Sequence, residues 1–227
     1  MKTELMKNLN PSHRPPRAAF TLVELLVVIA IMGILAALIF PAVGGIKARA
    51  ARMKAQAELK QIETAIDSYK AKYGHYPPDN PRDTALNQLF YELQGTAVKG
   101  GAFETLDGRS SITAATALTA FGVNGFVNCT KAGGGDDFAA AQKFISGLKP
   151  GQYGFLSTGV GLLTTSVIRP KNLGSALPDA PLELNPVHYN SSSPTGNRKS
   201  YDLWVDLLIS GKTNRISNWS AQPEIVN

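Results

Sequence analysis

Few side chains in this sequence have the types and spacing that catalysis requires. The candidates are one cysteine, Cys129, and three scattered histidines, His13, His75 and His188. Nothing near Cys129 in the chain would activate its thiol, and the histidine spacings do not match a metal site. The glycine-rich runs lack the residues of a nucleophile elbow, a phosphate loop or a dinucleotide loop. The sequence therefore predicts a protein that is not an enzyme and holds no metal or other cofactor.

The chemically unusual position is Glu24, which is the only charged residue between Phe20 and Ile46. This apolar segment is long enough to cross about 30 Å of hydrocarbon as a helix, and we predict a membrane segment here. A carboxylate inside such a segment is costly unless it lies at the headgroups or has a partner. An ordinary secretory signal peptide has a shorter apolar core and is the weaker alternative. The basic leader before Phe20 predicts a cytoplasmic N-terminus.

The residues around Glu24 resemble the N-terminal signal of the type IV pilin and type II secretion pseudopilin superfamily. Ala19, Phe20 and Glu24 supply its small residue, its phenylalanine and its glutamate, in the pattern F-T-L-x-E ahead of an apolar helix. The resemblance implies that a prepilin peptidase cleaves between Ala19 and Phe20 and methylates the new amino group of Phe20. It also implies that Glu24 pairs with the N-terminal amine of a neighbouring subunit. Gly33 and Pro41 match a glycine and a proline of the family, and they are predicted to loosen or kink the helix.

Beyond the apolar segment the chain turns polar but keeps a helical pattern. Apolar side chains recur every three or four positions and predict one stripe that packs on the chain's own globular domain: Ala51, Ala55, Leu59, Ile62, Ile66, Tyr69 and Tyr73. Gly74 and the prolines after it predict the end of the helix. A basic cluster at the start of the polar part is predicted to lie at lipid headgroups or in solvent rather than on DNA: Lys47, Arg49, Arg52 and Lys54.

These patterns divide the chain into four parts and predict an α+β, pilin-like fold. The parts are a cleaved leader (1–19), a transmembrane and polymerisation helix (20–46), an amphipathic stalk helix (47–74) and a periplasmic globular domain (75–227). The long helix is expected to pack on a small antiparallel β-sheet with extra short helices. Short helices are predicted at 83–93 and 136–148, and strands at 102–106, 125–128, 153–156, 186–189, 201–209 and 215–219. Alternation in the strand 201–209 directs one apolar face at the stalk helix: Tyr201, Leu203, Val205 and Leu207. The rest of residues 95–135 gives no clear pattern.

Short motifs in the C-terminal third resemble the major, G-type branch of the pseudopilins: Asn185-Pro186 with Tyr189, Tyr201-Asp202-Leu203-Trp204 and Ile216-Ser217-Asn218-Trp219. That branch commonly binds calcium in the loop between its last two strands. Here the corresponding loop, residues 210–215, has no carboxylate and two cations, so we predict that the calcium site is absent. Asp202 and Asp206 offer carboxylates in the adjoining strand, but solvent-facing strand charges are the favoured interpretation.

The leading hypothesis is a pseudopilin, a structural subunit of a type II secretion-like system that polymerises through its N-terminal helix into a periplasmic filament. Its implied partners are a prepilin peptidase, further copies of itself, other pseudopilins and an inner-membrane assembly platform. One alternative is a type IV pilus or competence-filament subunit that binds DNA or surfaces, with Arg198, Lys199, Lys212 and Arg215 as the only hint. A membrane-tethered periplasmic binding protein is the third hypothesis. The formal net charge of +6, half of it in the leader, argues only weakly for nucleic acid.

Overall fold

The computed structural model describes residues 20–131, 140–169, 177, 181 and 184–226, and it describes the backbone alone for residues 38–44. The chain forms two compact units, residues 1–44 and 45–227. One helix, α1 (Leu22–Tyr73), contributes to both units. Among the residues so described, no helix combines the length and the apolarity that a membrane span requires.

In the larger unit, the stalk part of α1 supplies one side of a single hydrophobic core. Its buried side chains follow the predicted three- and four-residue spacing, because a helix turns 100° per residue and returns the same face at those intervals: Ala55, Leu59, Ile62, Ala65, Ile66 and Tyr69. Ala51 and Tyr73 are partly buried against the same core. The predicted apolar stripe is therefore confirmed, and α1 ends at Tyr73, before Gly74 at φ +80°.

A small four-stranded sheet lies within residues 96–130, where the sequence predicted only the strands 102–106 and 125–128. It follows the short helix α2 (Leu89–Gln94) and has the strand order β3-β2-β1-β4. Neighbours are antiparallel except β4, which runs parallel to β1. The strands are β1 (Thr96–Lys99), β2 (Ala102–Thr105), β3 (Ser111–Thr113) and β4 (Cys129–Thr130), with helix α3 (Ala114–Phe121) between the last two.

Two further antiparallel sheets complete the unit. The first has the order β5-β6-β7 and consists of β5 (Tyr153–Phe155), β6 (Gly161–Thr165) and β7 (Asn185–Pro186). The second has the order β11-β10-β9-β8 and consists of β8 (His188–Asn190), β9 (Asp202–Ile209), β10 (Lys212–Ser217) and β11 (Glu224–Val226). The predicted inward face of β9 is confirmed, since Tyr201, Leu203, Val205 and Leu207 are all buried in the core that contains the stalk stripe.

A two-residue turn joins β9 to β10 in that sheet. Ile209 pairs with Lys212, so Ser210 and Gly211 form the whole connection, at φ +52° and +75°. Positive φ at both central residues is the type I′ geometry that matches the twist of a hairpin. Ser210 is a non-glycine residue in that left-handed region.

Both predicted short helices are wrong in part. The first begins at Leu89 rather than at 83, because the Asp83 carboxylate accepts the Ala85 amide N–H at 2.9 Å and holds a turn there. Of the second, residues 136–139 lie outside the described residues, and 140–148 are irregular. The amide groups that a helix would use internally donate elsewhere, that of Gln142 to Asn128 Oδ1 and that of Phe144 to the Leu93 carbonyl, both at 2.8 Å.

Three of the strand predictions are confirmed. Those at 102–106, 153–156 and 201–209 are confirmed to within one residue at each end by β2, β5 and β9. The strand predicted at 215–219 begins three residues earlier and ends two residues earlier, as β10, and the one at 186–189 is divided between β7 and β8. The strand at 125–128 is wrong, because the amides of Val127 and Asn128 donate to the carboxylate of Glu92 instead of a neighbouring strand.

Candidate functional site

Glu24 takes part in a reciprocal hydrogen-bonded cap at the beginning of α1. Its Oε2 accepts both the amide N–H and the hydroxyl of Thr21, each at 2.9 Å. In return, the Glu24 amide donates to Thr21 Oγ1 at 3.2 Å. This is a capping box, in which a threonine before the helix and a glutamate three residues later satisfy each other's amide groups. The sequence contains the T-x-x-E pattern that predicts such a box. The partner that the family resemblance implies for Glu24 is instead the N-terminal amine of a second subunit.

The helix that follows this cap presents apolar side chains on every side. Phe20 is 81% exposed and Leu22 79% exposed, and the large apolar residues after them stay between 44% and 68% exposed: Val23, Leu25, Leu26, Val27, Val28, Ile29, Ile31, Met32, Ile34 and Leu35. A helix that is apolar all round is typical of a segment covered by lipid or by other helices. In a single chain, the apolar surface of residues 20–35 is therefore left exposed.

The other predicted residues of this segment are placed as follows. Ala19 lies outside the described residues, so the predicted cleavage bond is seen only from its Phe20 side. Gly33 is helical, and a Cβ added to it would meet no atom within 4 Å. The helix also includes Pro41, whose side chain lies outside the description. Cleavage, N-methylation, intersubunit pairing and the kink all stay predictions.

Two polar side chains of the stalk bind sheets of the globular domain. Arg52 Nη2 donates to Asn214 Oδ1 in β10 at 2.8 Å, so this member of the basic cluster is half-buried and bound to its own domain rather than free for headgroups. The Glu58 carboxylate accepts the hydroxyls of Thr165 and Ser166 and, at 3.1 Å, the Ser166 amide.

A third attachment joins the stalk to a fully buried glutamate. Tyr69 donates its hydroxyl to Glu92 Oε2 at 3.0 Å. The same carboxylate accepts the amides of Val127 and Asn128 at 2.8 and 2.9 Å. Burial raises the pKa of Glu92, and these three donors oppose that rise because they stabilise the charged form. No sequence signal singles out Glu92, because a glutamate in a short amphipathic segment normally faces water.

Asp202 and Asp206 are both buried, so the favoured interpretation of them as solvent-facing charges is wrong. The Asp202 carboxylate accepts the amides of Thr195, Gly196 and Asn197 at 2.6 to 2.9 Å and so fixes the loop before β9. Asp206 forms a two-bond ion pair with Arg215, with both N···O distances at 2.9 Å. Amide donors engage Asp202 and a guanidinium engages Asp206, so both carboxylates hold parts of the fold together.

The candidate catalytic groups are not brought together. His188 stacks on Trp204, with ring centroids 4.8 Å apart, and burial lowers its pKa to about 4. Burial raises the pKa of the Cys129 thiol, which leaves it a weak nucleophile. His75 lies near Tyr69 and Tyr73, and His13 lies outside the described residues. Over the part of the chain that the structure describes, no three His, Cys, Asp or Glu side chains are grouped so that they could hold a metal ion.

Comparison with known proteins gives one family match, at the N-terminus. The model of the prokaryotic N-terminal methylation motif matches residues 14–40, which include Ala19, Phe20 and Glu24. The match covers the capping box and the exposed apolar residues that follow it. The predicted methylation signal is therefore confirmed as a motif.

The curated relatives share one name. The chain is 44% identical over 61 residues to the type II secretion system core protein G of Escherichia coli K12, which is 27% of this chain and 42% of that protein. It is 44% identical over 65 residues to the protein of that name from Klebsiella michiganensis, or 29% and 46% of the two chains. The Pseudomonas aeruginosa protein is 41% identical over 65 residues, with the same coverage. The chain thus spans less than half the length of the curated relatives it matches, and no solved structure matches it. The predicted resemblance to the G-type pseudopilins is confirmed over about a quarter of the chain.

Proposed function

We propose that this chain is a pseudopilin, a structural subunit that assembles through its N-terminal helix into the filament of a type II secretion-like system. The observation that carries the proposal is the methylation motif in register with an apolar helix that is exposed on every side. Exposed apolar surface of this extent needs cover, and copies of the same helix provide it in a filament. The similarity to proteins named core protein G favours the secretion system over the pilus.

The N-terminal segment has two successive environments in this proposal. The apolar residues anchor the precursor in the inner membrane, with the globular domain in the periplasm. A prepilin peptidase then cleaves between Ala19 and Phe20 and methylates Phe20. In the filament, Glu24 exchanges its local partner Thr21 for the new N-terminal amine of a neighbouring copy. A buried carboxylate beside an ammonium is far less costly than one alone, so this pairing favours subunits stacked in register.

The globular domain is a structural body rather than a catalyst in this proposal. Its polar side chains hold the fold together, as Glu58, Glu92, Asp202 and Asp206 illustrate. The proposal includes no calcium. Residues 210–215, predicted to be the loop between the last two strands, form the β9–β10 turn and the beginning of β10, and the actual connection between the last two strands, residues 218–223, has no carboxylate either. Arg215 is bound to Asp206, which removes one of the four cations that favoured a DNA-binding pilus subunit.

The test is mass spectrometry of the N-terminus after expression with and without a prepilin peptidase, combined with an assay of filament formation. We expect the co-expressed chain to begin with N-methylated Phe20 and to form filaments. Glu24→Ala should still be cleaved but should not assemble. Glu224→Ala, which removes an exposed carboxylate of β11, is the matched control and should assemble normally. An intact leader, or filaments that form without Glu24, would contradict the proposal.

A further inference from the structure

A cavity of about 350 Å³ lies between the stalk and the chain that follows β10. Its floor is apolar and consists of Leu59 and Ile216, each 3% exposed, together with the ring of Trp219. This volume is within the range of about 300–1,000 Å³ that small-molecule sites have in proteins. The polar attachments of the stalk described above lie outside the cavity, so it is a separate feature of the surface.

The ring of Trp219 is held in place by the loop before β9. A Cβ added to Gly196 would lie 2.5–2.9 Å from three neighbouring atoms of the Trp219 indole, so the Gly196 backbone lies over one face of that ring. Trp204 holds it from a second side, edge to face, with the ring centroids 5.7 Å apart. Asp202 in turn fixes Gly196, whose amide donates to its carboxylate at 2.9 Å. The face of the indole opposite Gly196 is therefore the one available to a ligand, and a ring held in this way loses little conformational freedom on binding.

Polar groups of the stalk form the rim of the cavity. Gln56, Lys60 and Glu63 follow one another at helical spacing, on the same side of α1 as Leu59. Lys60 Nζ donates to Glu63 Oε2 at 2.7 Å. Glu63 Oε1 and the Gln56 amide have no hydrogen-bond partner in the part of the chain that the structure describes. The rim therefore offers a ligand one carboxylate oxygen and an amide that both donates and accepts.

This combination of floor and rim favours a sugar ring over other small molecules. An entirely apolar ligand would bury the polar groups of the rim without partners, which is costly. An anion would meet the free oxygen of Glu63, while the cation of the rim, Lys60, is already paired. A pyranose ring has hydroxyl groups around its edge, which can pair with the amide and the carboxylate. It also has C–H groups on its face, which pack well on the negatively polarised face of an indole.

We propose that this cavity binds a pyranose ring of a glycan, with the face of the sugar on Trp219 and its hydroxyl groups on Gln56 and Glu63. The proposal goes beyond the structural role of the domain and gives it a ligand of its own. Every residue of the site belongs to one chain and to its larger unit, so binding does not require a filament.

The first experiment is a fluorescence titration of the full chain in a detergent without a sugar headgroup, such as lauryldimethylamine oxide. Trp204 and Trp219 are the only tryptophans of the chain, so a ligand stacked on Trp219 changes a large part of the signal. The probes are two neutral trisaccharides, cellotriose and triacetylchitotriose. We expect at least one of them to give a saturable change with a Kd below about 1 mM. No such change with either probe would overturn the inference and leave the proposed function intact, because the titration involves no filament.

The second experiment locates the bound sugar, by titration calorimetry of variants whose circular dichroism matches that of the parent chain. Gly196 does not have a positive φ, so alanine fits its backbone, but the added Cβ displaces the indole; Gly196→Ala should raise the Kd at least fivefold. Gln56→Ala, at an exposed position of the stalk, should raise it at least threefold. The matched control is Gln222→Ala, an exposed glutamine outside the cavity, which should change the Kd less than twofold. Parent-like binding by either Gly196→Ala or Gln56→Ala would place the sugar elsewhere and overturn the inference.

Discussion

The ion pair between Asp206 and Arg215 gives the sharpest stability prediction. The side chain of Asp206 is 4% exposed and that of Arg215 26%, and two hydrogen bonds of 2.9 Å join them. Arg215→Met keeps the bulk of the side chain but leaves the buried carboxylate without either bond. Removing one partner of a fully buried pair costs about 3–5 kcal/mol. Because water reaches part of Arg215, we expect the free energy of unfolding to fall by about 2–4 kcal/mol.

Urea unfolding of the full chain in mild detergent, followed by circular dichroism, measures this loss. Lys212→Met, an exposed cation on the same strand, should change stability by no more than about 0.5 kcal/mol. The double variant Asp206→Leu with Arg215→Met removes both charges and should recover at least half of the loss, since an apolar pair has no unpaired charge to bury. A loss below about 1 kcal/mol for Arg215→Met, or a double variant less stable than the single one, would refute the reasoning.

Three further predictions concern buried or strained groups. The pKa of His188 is about 4 in the folded chain and about 6.5 unfolded, so its contribution to stability is complete above pH 6.5 and is lost as the pH falls toward 4; between pH 7.5 and 4.5 the parent chain should lose about 2–3 kcal/mol more than His188→Gln. Ser210→Asn should raise the free energy of unfolding by about 0.5 kcal/mol, because asparagine tolerates positive φ better than serine. Tyr69→Phe should lower it by about 1–2 kcal/mol, because the buried Glu92 carboxylate loses a donor.

Chemical unfolding measures all three, with the pH varied only for His188→Gln. For each prediction, one result would contradict the reasoning. Equal pH dependence of the parent chain and His188→Gln would mean that this imidazole titrates normally. Ser210→Val, which tolerates positive φ poorly, should lose stability; a gain would contradict the strained turn. For Tyr69, a double-mutant cycle with Glu92→Gln should show coupling between the two changes. If the two losses of unfolding free energy simply add, the hydrogen bond between these side chains does not contribute to stability.

The sequence predicted burial best in long elements that pack a single face against the core. The stalk stripe and β9 repeat their periods over many residues, so local pattern and burial agree. The helix predicted at 136–148 is wrong over its described part, 140–148: the apolar spacing was right over few residues, but Asn128 Oδ1 and the Leu93 carbonyl accept amides that a helix needs. Of the small sheet β1–β4 the sequence predicted only β2, because strands of two to four residues are too short to show a clear alternation.

The residues of the candidate site were likewise predictable only where their signal is local in the sequence. The motif at Phe20 and Glu24 is a local signal and was found from sequence. The buried carboxylates were not, because the amide donors that satisfy them come from loops: residues 127 and 128, far along the chain, for Glu92, and residues 195–197, just before β9, for Asp202. Sequence spacing carries no record of those donors, so a strand aspartate such as Asp202 looks like an ordinary surface charge.

The stalk attachments have a mechanical consequence. Arg52 binds β10, Glu58 binds the end of β6 and Tyr69 binds Glu92 of α2, so three parts of the domain are fastened at different heights of one helix. From Arg52 to Tyr69 these fastenings extend over about 25 Å at 1.5 Å per residue. A force along the helix axis acts on all three attachments at the same time. They must therefore break together rather than one after another. A force along the stalk from Arg52 to Tyr69 therefore moves the globular domain together with that part of the helix.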